Sequence, residues 1–446
     1  MKVPFKSVYT NKLFYNLLWS LVVLFVIAFL WKPFFAIAML ALMAFIGAAL
    51  VDLLMLYPKD GDMHILAKRS LPEKFSNGDH NRVTITVESH FPYPVKLSII
   101  DELPPQFQIR DFDLSANLQS GKPLVKSYSL RPVERGEYEF GALNIYARAK
   151  VGFFSRRYRF DSGASIKVYP SFIQMKRYEI MAISNRLSEI GVKKIRRIGH
   201  HSEFDQIRDY IKGDDIRTIN WKATARMAHL MVNQYQDERS QQVFCMIDMG
   251  RTMKMPFDGI TLLDYAINTS LIISNIALLK HDKTGLVSFD DKIRAMLPAR
   301  GEGKHLQAIM EVLYNQKSSF AEHNIEALYS LVRNKIHQRS LFILFTNFES
   351  LESAKRDISL LTKLASKHLL MVVFFENDEI IRTINHGAED AEEIYKQAIA
   401  EKFVYDKKQI VKELERRGIY ALLTKPEQLT VDTMNRYLEF KSRGLL

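Results

Sequence analysis

The sequence has one cysteine in 446 residues. A single thiol, Cys245, excludes an intramolecular disulfide and any cysteine-cluster metal site, and a reducing compartment is its natural setting. Three catalytic signatures are also missing: the phosphate loop GxxxxGK[ST], the nucleophile elbow GxSxG and the zinc-binding pair HExxH. Gly301-Glu302-Gly303-Lys304-His305 echoes a glycine-rich phosphate loop, but it lacks the spacing, and His305 stands where a hydroxyl belongs. Acid is in short supply too, with 50 Asp and Glu against 62 Lys and Arg for a formal net charge of +12. That balance suits a membrane surface or an acidic partner as readily as nucleic acid. Lysines beside an apolar segment explain the charge more simply, so no nucleic-acid partner is expected.

A mean hydropathy of −0.11 conceals two long apolar runs near the N-terminus. Residues 13–31 and 33–57 break only at Lys32-Pro33. Each is roughly 20 residues, enough to cross a hydrocarbon core as a helix. No small-residue cleavage site separates them, so a transmembrane helical hairpin fits better than a signal peptide. Lys2, Lys6 and Lys12 precede the hairpin, and Lys59, Lys68 and Arg69 follow it. An excess of positive charge marks the cytoplasmic side. The expectation is a two-pass protein of the cytoplasmic (inner) membrane, with residues 1–12, both termini and the soluble domains in the cytoplasm. Trp19, Trp31 and Tyr57 are candidate anchors at the bilayer interface.

Residues 63–170 change to period two. Arg82-Val83-Thr84-Ile85-Thr86-Val87-Glu88 alternates, as do 96–100 and 125–130, with turn signals at Asn77-Gly78-Asp79, Pro104-Pro105 and Gly121. Short alternating runs between turns predict an all-β, sandwich-like domain. From residue 241 to 446 apolar runs alternate with helical periodicity: strands at 243–247, 285–289, 341–345 and 369–375, and an edge strand at 293–297. That alternation predicts a doubly wound, Rossmann-like α/β sheet, whose ligands gather at the carboxyl ends of the strands, beside Asp248 and Thr346-Asn347. Between the two domains, residues 171–240 read as a linker with a helix at 178–190. Its basic run Lys193-Lys194-Ile195-Arg196-Arg197 reads as a solvated stretch, and His200-His201 lacks a third ligand for a metal.

The densest stretch is 203–227, EFDQIRDYIKGDDIRTINWKATARM. Eight carboxylates and basic groups fall between Glu203 and Arg217, interleaved with Phe204, Tyr210 and then Trp221. A core rarely tolerates so many charges, and a solvated face rarely needs so many rings. Arg208, Arg217 and Arg226 recur every nine residues and need not share a face; bidentate pairs with Glu203, Asp205 or Asp214 suit them. Gly213 before Asp214-Asp215 suits a turn. Trp221 is expected to pack on the α/β domain. Two readings stand side by side, a rigid strap holding the linker to the sheet and a patch that faces a partner.

Asp248-Met249-Gly250-Arg251-Thr252, after an apolar strand and before a helix, resembles the first loop of a von Willebrand factor A domain. That loop reads DxSxS and gives an aspartate and two hydroxyls to a divalent cation; a threonine and an aspartate from two further loops complete the site. Hard oxygen ligands suit magnesium or calcium. Here Asp248 and Thr252 match, Gly250 removes a hydroxyl, the second loop at 301–304 offers Lys304 in place of threonine, and Asn347 stands for the third-loop aspartate. The loop set is degenerate, and two outcomes stay open. One is a weak, water-rich magnesium site on Asp248, Thr252 and Asn347. The other is a fold that has kept the loop and lost the ion, with Asp248 capping backbone or pairing with a base such as Lys304.

The stretch at 203–227 is more specific. It resembles the pattern EFxxxRxYxxGDxxRxIxWxxxAR of the bacterial family known as domain of unknown function 58, with Glu203, Phe204, Arg208, Tyr210, Gly213, Asp214, Arg217, Ile219, Trp221, Ala225 and Arg226 at its positions. Arg135-Gly136-Glu137-Tyr138 and Gly152-Phe153-Phe154 also resemble the family. The resemblance implies a membrane-anchored, non-enzymatic adaptor or scaffold that presents its A-type domain to a partner, commonly a MoxR-type ATPase of the AAA+ class. The alternative is a metal-dependent hydrolase built on Asp214, Asp215 and Asp248.

Overall fold

A computed structural model describes residues 7–57, 64–160, 163–183, 202–211, 214–237, 241–376 and 390–445, in two units, Met1–Tyr169 and Pro170–Leu446. In the first unit, β1 (Val8–Thr10) leads into helices α1 (Lys12–Leu30) and α2 (Phe34–Leu56). Their mean hydropathies are 2.4 and 2.6, and only 6% of each apolar window is buried, so both are long and apolar enough to cross a membrane. The expected hairpin is therefore present, turning between Trp31 and Phe34. Lys2, Lys6 and Lys59, used to orient it, lie outside the described residues.

The strands that follow are β2 (Ile65–Ser70), β3 (Lys74–Ser76), β4 (Asn81–Ser89), β5 (Val95–Asp101) and β6 (Leu114–Leu118). After them come β7 (Leu124–Leu130), β8 (Gly136–Phe140), β9 (Leu143–Arg148), β10 (Phe154–Phe160) and β11 (Ala164–Tyr169). They form sheets ordered β1-β10-β9-β5-β6, β2-β4-β7 and β3-β11-β8. Alternation drives the packing: Val83, Ile85 and Val87 point inward from β4 and are fully buried. Ile85 and Val87 join Ile65, Leu97, Ile99 and Ile145 in one apolar layer; Val83 joins Phe75, Tyr138, Phe140 and Val168 in a second.

Gly152-Phe153-Phe154 is the seat of the hairpin within this unit. Asp52, on α2 and fully buried, accepts from Gly152 N at 3.2 Å and from Phe154 N at 2.8 Å. A buried carboxylate needs such donors, and here the strand's own backbone provides them. Phe153 lies 5.4 Å from the Phe45 ring, Phe14 lies 5.5 Å from Phe154, and Asn11 N donates to Phe153 O at 2.9 Å. β1 pairs antiparallel with β10, so the start of α1 and the end of α2 are clasped by one strand.

The second unit opens with α3 (Phe172–Ile183), followed by β12 (Ser202–Asp209), α4 (Trp221–Met227), β13 (Met231–Asp237) and β14 (Gln242–Asp248). A short hairpin of β15 (Pro256–Phe257) and β16 (Ile260–Thr261) precedes α5 (Leu262–Leu279), β17 (Lys283–Phe289), β18 (Ile293–Arg300), α6 (Gly303–Asn315) and α7 (Ile325–Lys335). β19 (Leu341–Phe345), α8 (Leu351–Ala365), β20 (Leu369–Phe375), α9 (Ala391–Arg416), β21 (Tyr420–Thr424) and α10 (Leu429–Ser442) complete it. The large sheet runs β18-β17-β14-β19-β20-β21, all parallel except the edge strand β18. Counted from β14, this is the doubly wound order 3-2-1-4-5-6, which reverses between β14 and β19.

Two sequence expectations change. Residues 171–183 are not linker: Met175 on α3 is buried in the core beside α5, Ser171 N donates to Asn268 Oδ1 at 2.8 Å, and Asn275 Nδ2 donates to Glu179 Oε2 at 3.1 Å. The helix also begins earlier than expected; 184–190, the basic run at 193–197 and His200-His201 lie outside the described residues. A third apolar helix, α5, has a mean hydropathy of 1.5 but is 83% buried, because both the sheet and α3 cover it.

Candidate functional site

The continuous apolar run Val243-Phe244-Cys245-Met246-Ile247 is buried throughout, as a central parallel strand requires. Burial pushes the Cys245 thiol up to about 12, so it packs and does not react. The strand delivers Asp248, fully buried, to the carboxyl end of the sheet at its switch point. Asp248 Oδ1 accepts from Gly250 N at 2.7 Å, and Oδ2 accepts from Thr346 Oγ1 at 2.6 Å. A third donor is His323, whose Nδ1 stands 3.1 Å from Oδ2 while its Nε2 stands 2.9 Å from Asp357 Oδ2 on α8. Carboxylates only accept, so a ring held between two of them donates from both nitrogens and is an imidazolium. Burial alone lowers the His323 pKa; hydrogen bonds to Asp248 and Asp357, with their charges, outweigh it and raise the value to about 10.

The base at Asp248 is thus His323, not Lys304, which is exposed. Topology explains the correction. β18 runs back antiparallel, setting Arg300 beside Thr284, so residues 301–304 follow at the opposite end of the sheet from Asp248. The second segment at the site is 319–323, which leads into α7. Ser319 N donates to Met249 O and Arg251 N to Ala321 O, both at 3.0 Å. Gly250 permits this approach: a Cβ there would meet Asp248 Oδ1 at 3.0 Å, Ala321 O at 3.1 Å and His323 N at 3.3 Å. The hydroxyl absent at position 250 and the histidine present at 323 are two sides of one packing arrangement.

Asn347, only 5% exposed, donates from Nδ2 to Thr252 O at 3.4 Å, and its Oδ1 accepts from Lys407 Nζ on α9 at 2.9 Å. Lys407 also donates to Phe375 O, and burial lowers its pKa to about 8. Thr252 Oγ1 is buried with no hydrogen-bond partner among the described residues. Outside lies a polar cleft of about 160 Å³ lined by Arg251, Thr252, His323, Asn347, Arg356 and Asp357, with the Arg251–Glu349 pair at its rim. Magnesium prefers six oxygens in octahedral array. Asp248 accepts from three donors of the protein itself, Asn347 Oδ1 faces an ammonium and the Thr252 hydroxyl is left over, so these three residues do not fit the ion.

The signature stretch forms a two-stranded ribbon. β12 and β13 pair antiparallel, with a bulge between Phe204 and Gln206, and Ile219 bridges Val232. Arg208 and Asp214 make the expected bidentate pair, Nη1 to Oδ2 at 2.8 Å and Nη2 to Oδ1 at 2.7 Å; Asp214 Oδ2 also accepts from Ile211 N. Hydrogen bonds to Arg208 and Ile211 hold the Asp214 carboxyl below its ordinary pKa. Asp215 caps the turn at 216–218 by accepting from Arg217 N, and Asn220 caps α4 by accepting from Ala223 N. Ala228 closes α4 in the left-handed region, φ 60°. Glu203 and Phe204 lie on β12 opposite Gln236 and Tyr235, with side chains outside the described residues, as is Gly213; Arg217 and Arg226 are exposed and Tyr210 is half-buried.

Trp221 does not pack on the α/β domain; it is 67% exposed. Ile211, Ile216, Met227 and Leu230 of the same stretch are exposed too, whereas Met231 and Val232 are buried. The described hydrogen bonds that shape the ribbon are local, and several of its large apolar side chains are left outside. Sequence reasoning found Asp248, Thr252 and Asn347 but missed His323, Asp357 and Lys407. Ala321-Glu322-His323-Asn324 carries no motif, and only the fold brings it to the strand end.

The family described as protein of unknown function DUF58 matches residues 206–380, from within β12 to beyond β20. An uncharacterized protein of Bacillus subtilis (strain 168), YeaD, is 29% identical over 179 residues, which cover 38% of this chain and 44% of the relative. The match thus spans less than half of the curated relative. Among solved structures, the conserved hypothetical protein BatB from Bacteroides thetaiotaomicron is similar at 12% identity and a TM-score of 0.30, over 46% of this chain and 99% of that one. An aerotolerance-related membrane protein from Bacteroides fragilis NCTC 9343 gives 11% identity and a TM-score of 0.27, over 46% and 99%. Scores at this level leave the fold resting on the sheet topology described above.

Proposed function

We propose that this chain, a member of the DUF58 family, is a membrane-anchored, non-enzymatic adaptor whose signature ribbon faces a protein partner. The observation that carries the reading is the exposure of Trp221 together with Ile211, Ile216, Met227 and Leu230 of the same stretch. Concentrated apolar exposure marks interaction sites, and exposed tryptophan and arginine are typical anchors of an interface. Each large apolar side chain that a partner covers fully contributes about 1.5–3 kcal/mol. The strand-end face is a poorer candidate than the sequence suggested, because Asp248 is fully buried. The α/β unit is read as von Willebrand factor A-like from its 3-2-1-4-5-6 order and its DMGRT loop. The two apolar helices anchor it in the cytoplasmic membrane, with the soluble units on the cytoplasmic side.

A MoxR-type AAA+ ATPase is the partner this reading expects. The hydrolase alternative has less support, since Asp214 is held by Arg208, Asp215 by Arg217 N and Asp248 by Thr346 and His323. Affinity purification of the full-length protein from native membranes, with and without ATP, tests the proposal. Enrichment of an AAA+ ATPase that responds to nucleotide is expected. Recovery of none, with small-molecule turnover by the purified protein, would move the weight to an enzyme.

A further inference from the structure

Three oxygen-bearing side chains at the switch point, Asp248, Thr252 and Asn347, are of the type that binds a divalent ion, yet two of them already hold a positive charge from the protein itself. We propose that His323 and Lys407 are built-in cations that stand in for a divalent ion at Asp248 and Asn347, so that this end of the sheet is held together without metal. His323 Nδ1 meets Asp248 Oδ2 at 3.1 Å, and Lys407 Nζ meets Asn347 Oδ1 at 2.9 Å. Asp248 Oδ2 and Asn347 Oδ1, two of the oxygens an ion would need, are therefore engaged by side-chain cations, and Asp248 Oδ1 accepts from Gly250 N. His323 adds a link that a loop ion would lack, since its other nitrogen reaches Asp357 on α8 at 2.9 Å. Lys407 does the same from α9 by bonding Phe375 O at the end of β20. In this way β14, β19, β20, α8 and α9 are tied through two organic cations.

The backbone around Gly250 supports the same assignment. A serine there would have to displace the backbone of 321–323, the segment that carries His323, because its Cβ would fall 3.1 Å from Ala321 O. Losing the second hydroxyl and gaining the imidazolium are thus coupled sterically. A metal entering at Asp248 would meet a like charge, and its ligand shell would be short of oxygens. The inference concerns the ion chemistry of this cluster and stands whether or not the ribbon binds a partner.

The test is manganese and magnesium binding to the full-length protein in detergent, read by manganese spin resonance and by the shift in melting temperature. Wild type is expected to show neither bound manganese nor a shift at millimolar metal. His323→Asn with Lys407→Gln removes both charges and supplies amide oxygens; that double variant is expected to bind manganese at least about tenfold more tightly, since ligand charge and count set affinity. Adding Asp248→Asn to it is expected to abolish the gain. A folded double variant that binds manganese no better than wild type overturns the proposal. Should the double variant fail to fold, Lys407→Gln alone takes its place with the same expected direction, and no gain there counts against the proposal. Wild-type manganese binding that Asp248→Asn removes overturns it whatever the variants do.

Discussion

The ribbon and the switch point are both rich in charge, and they solve that charge in opposite ways. At the switch point the carboxylate is inside: Asp248 is fully buried, and it accepts from His323, Thr346 and Gly250 N. In the ribbon the Arg208–Asp214 ion pair is partly exposed, and so are large apolar side chains of the same stretch. Surface pairs add little stability, whereas a buried pair costs much when one partner is removed. The switch point therefore holds the sheet, whereas the ribbon contributes little to stability and, on the proposed function, is the surface a partner meets.

The largest effect should follow from removing one member of the buried set. Asp248→Ala leaves the His323 imidazolium with one carboxylate and frees Thr346 and Gly250 N, and is expected to cost about 3–5 kcal/mol of unfolding free energy. A chemical denaturation curve of the full-length protein in detergent would check it, and a loss under about 1 kcal/mol would break the contrast.

Next comes pH. The folded-state pKa of His323, about 10, lies above its ordinary 6.5, so the stability it contributes is fully present below about 6.5 and is lost as pH rises through 10. Lys407 acts oppositely: lowered from 10.5 to about 8, it adds stability as pH rises across that interval. The difference between wild type and His323→Gln isolates the histidine. That difference should shrink by a few kcal/mol between neutral pH and pH 10, on the order of the shift itself. A constant difference would mean that His323 is neutral.

Gly250→Ser should cost about 1–3 kcal/mol through overpacking against the 321–323 backbone, measured by the same denaturation curve. The smallest effect belongs to the ribbon. Trp221→Ala is expected to change stability by less than about 0.5 kcal/mol, because its ring is exposed. A larger loss would restore the strap reading.

Most of the sheet was legible because buried parallel strands are continuous apolar runs: residues 341–345 and 369–375 match β19 and β20 from end to end. The hairpin was legible from run length alone. α3 was misread because Phe172 and Met175 look like scattered apolar residues in a polar stretch, and only α5 turns them into core. The fate of Trp221 was hidden for a different reason. A rigid strap and a docking patch use the same residues, and burial, which separates them, belongs to tertiary structure. His323 and Lys407 reach the site from 75 and 159 residues beyond Asp248, farther than any local pattern extends.

Whether the exposed ribbon is the partner-binding surface is decided by measuring binding of a purified MoxR-type ATPase to full-length wild type and Trp221→Ala in the same detergent. A partner-binding ribbon should give matching melting temperatures and at least about a tenfold loss of affinity in the variant, as expected when an interface anchor is truncated. Equal affinity in two equally stable proteins would contradict it.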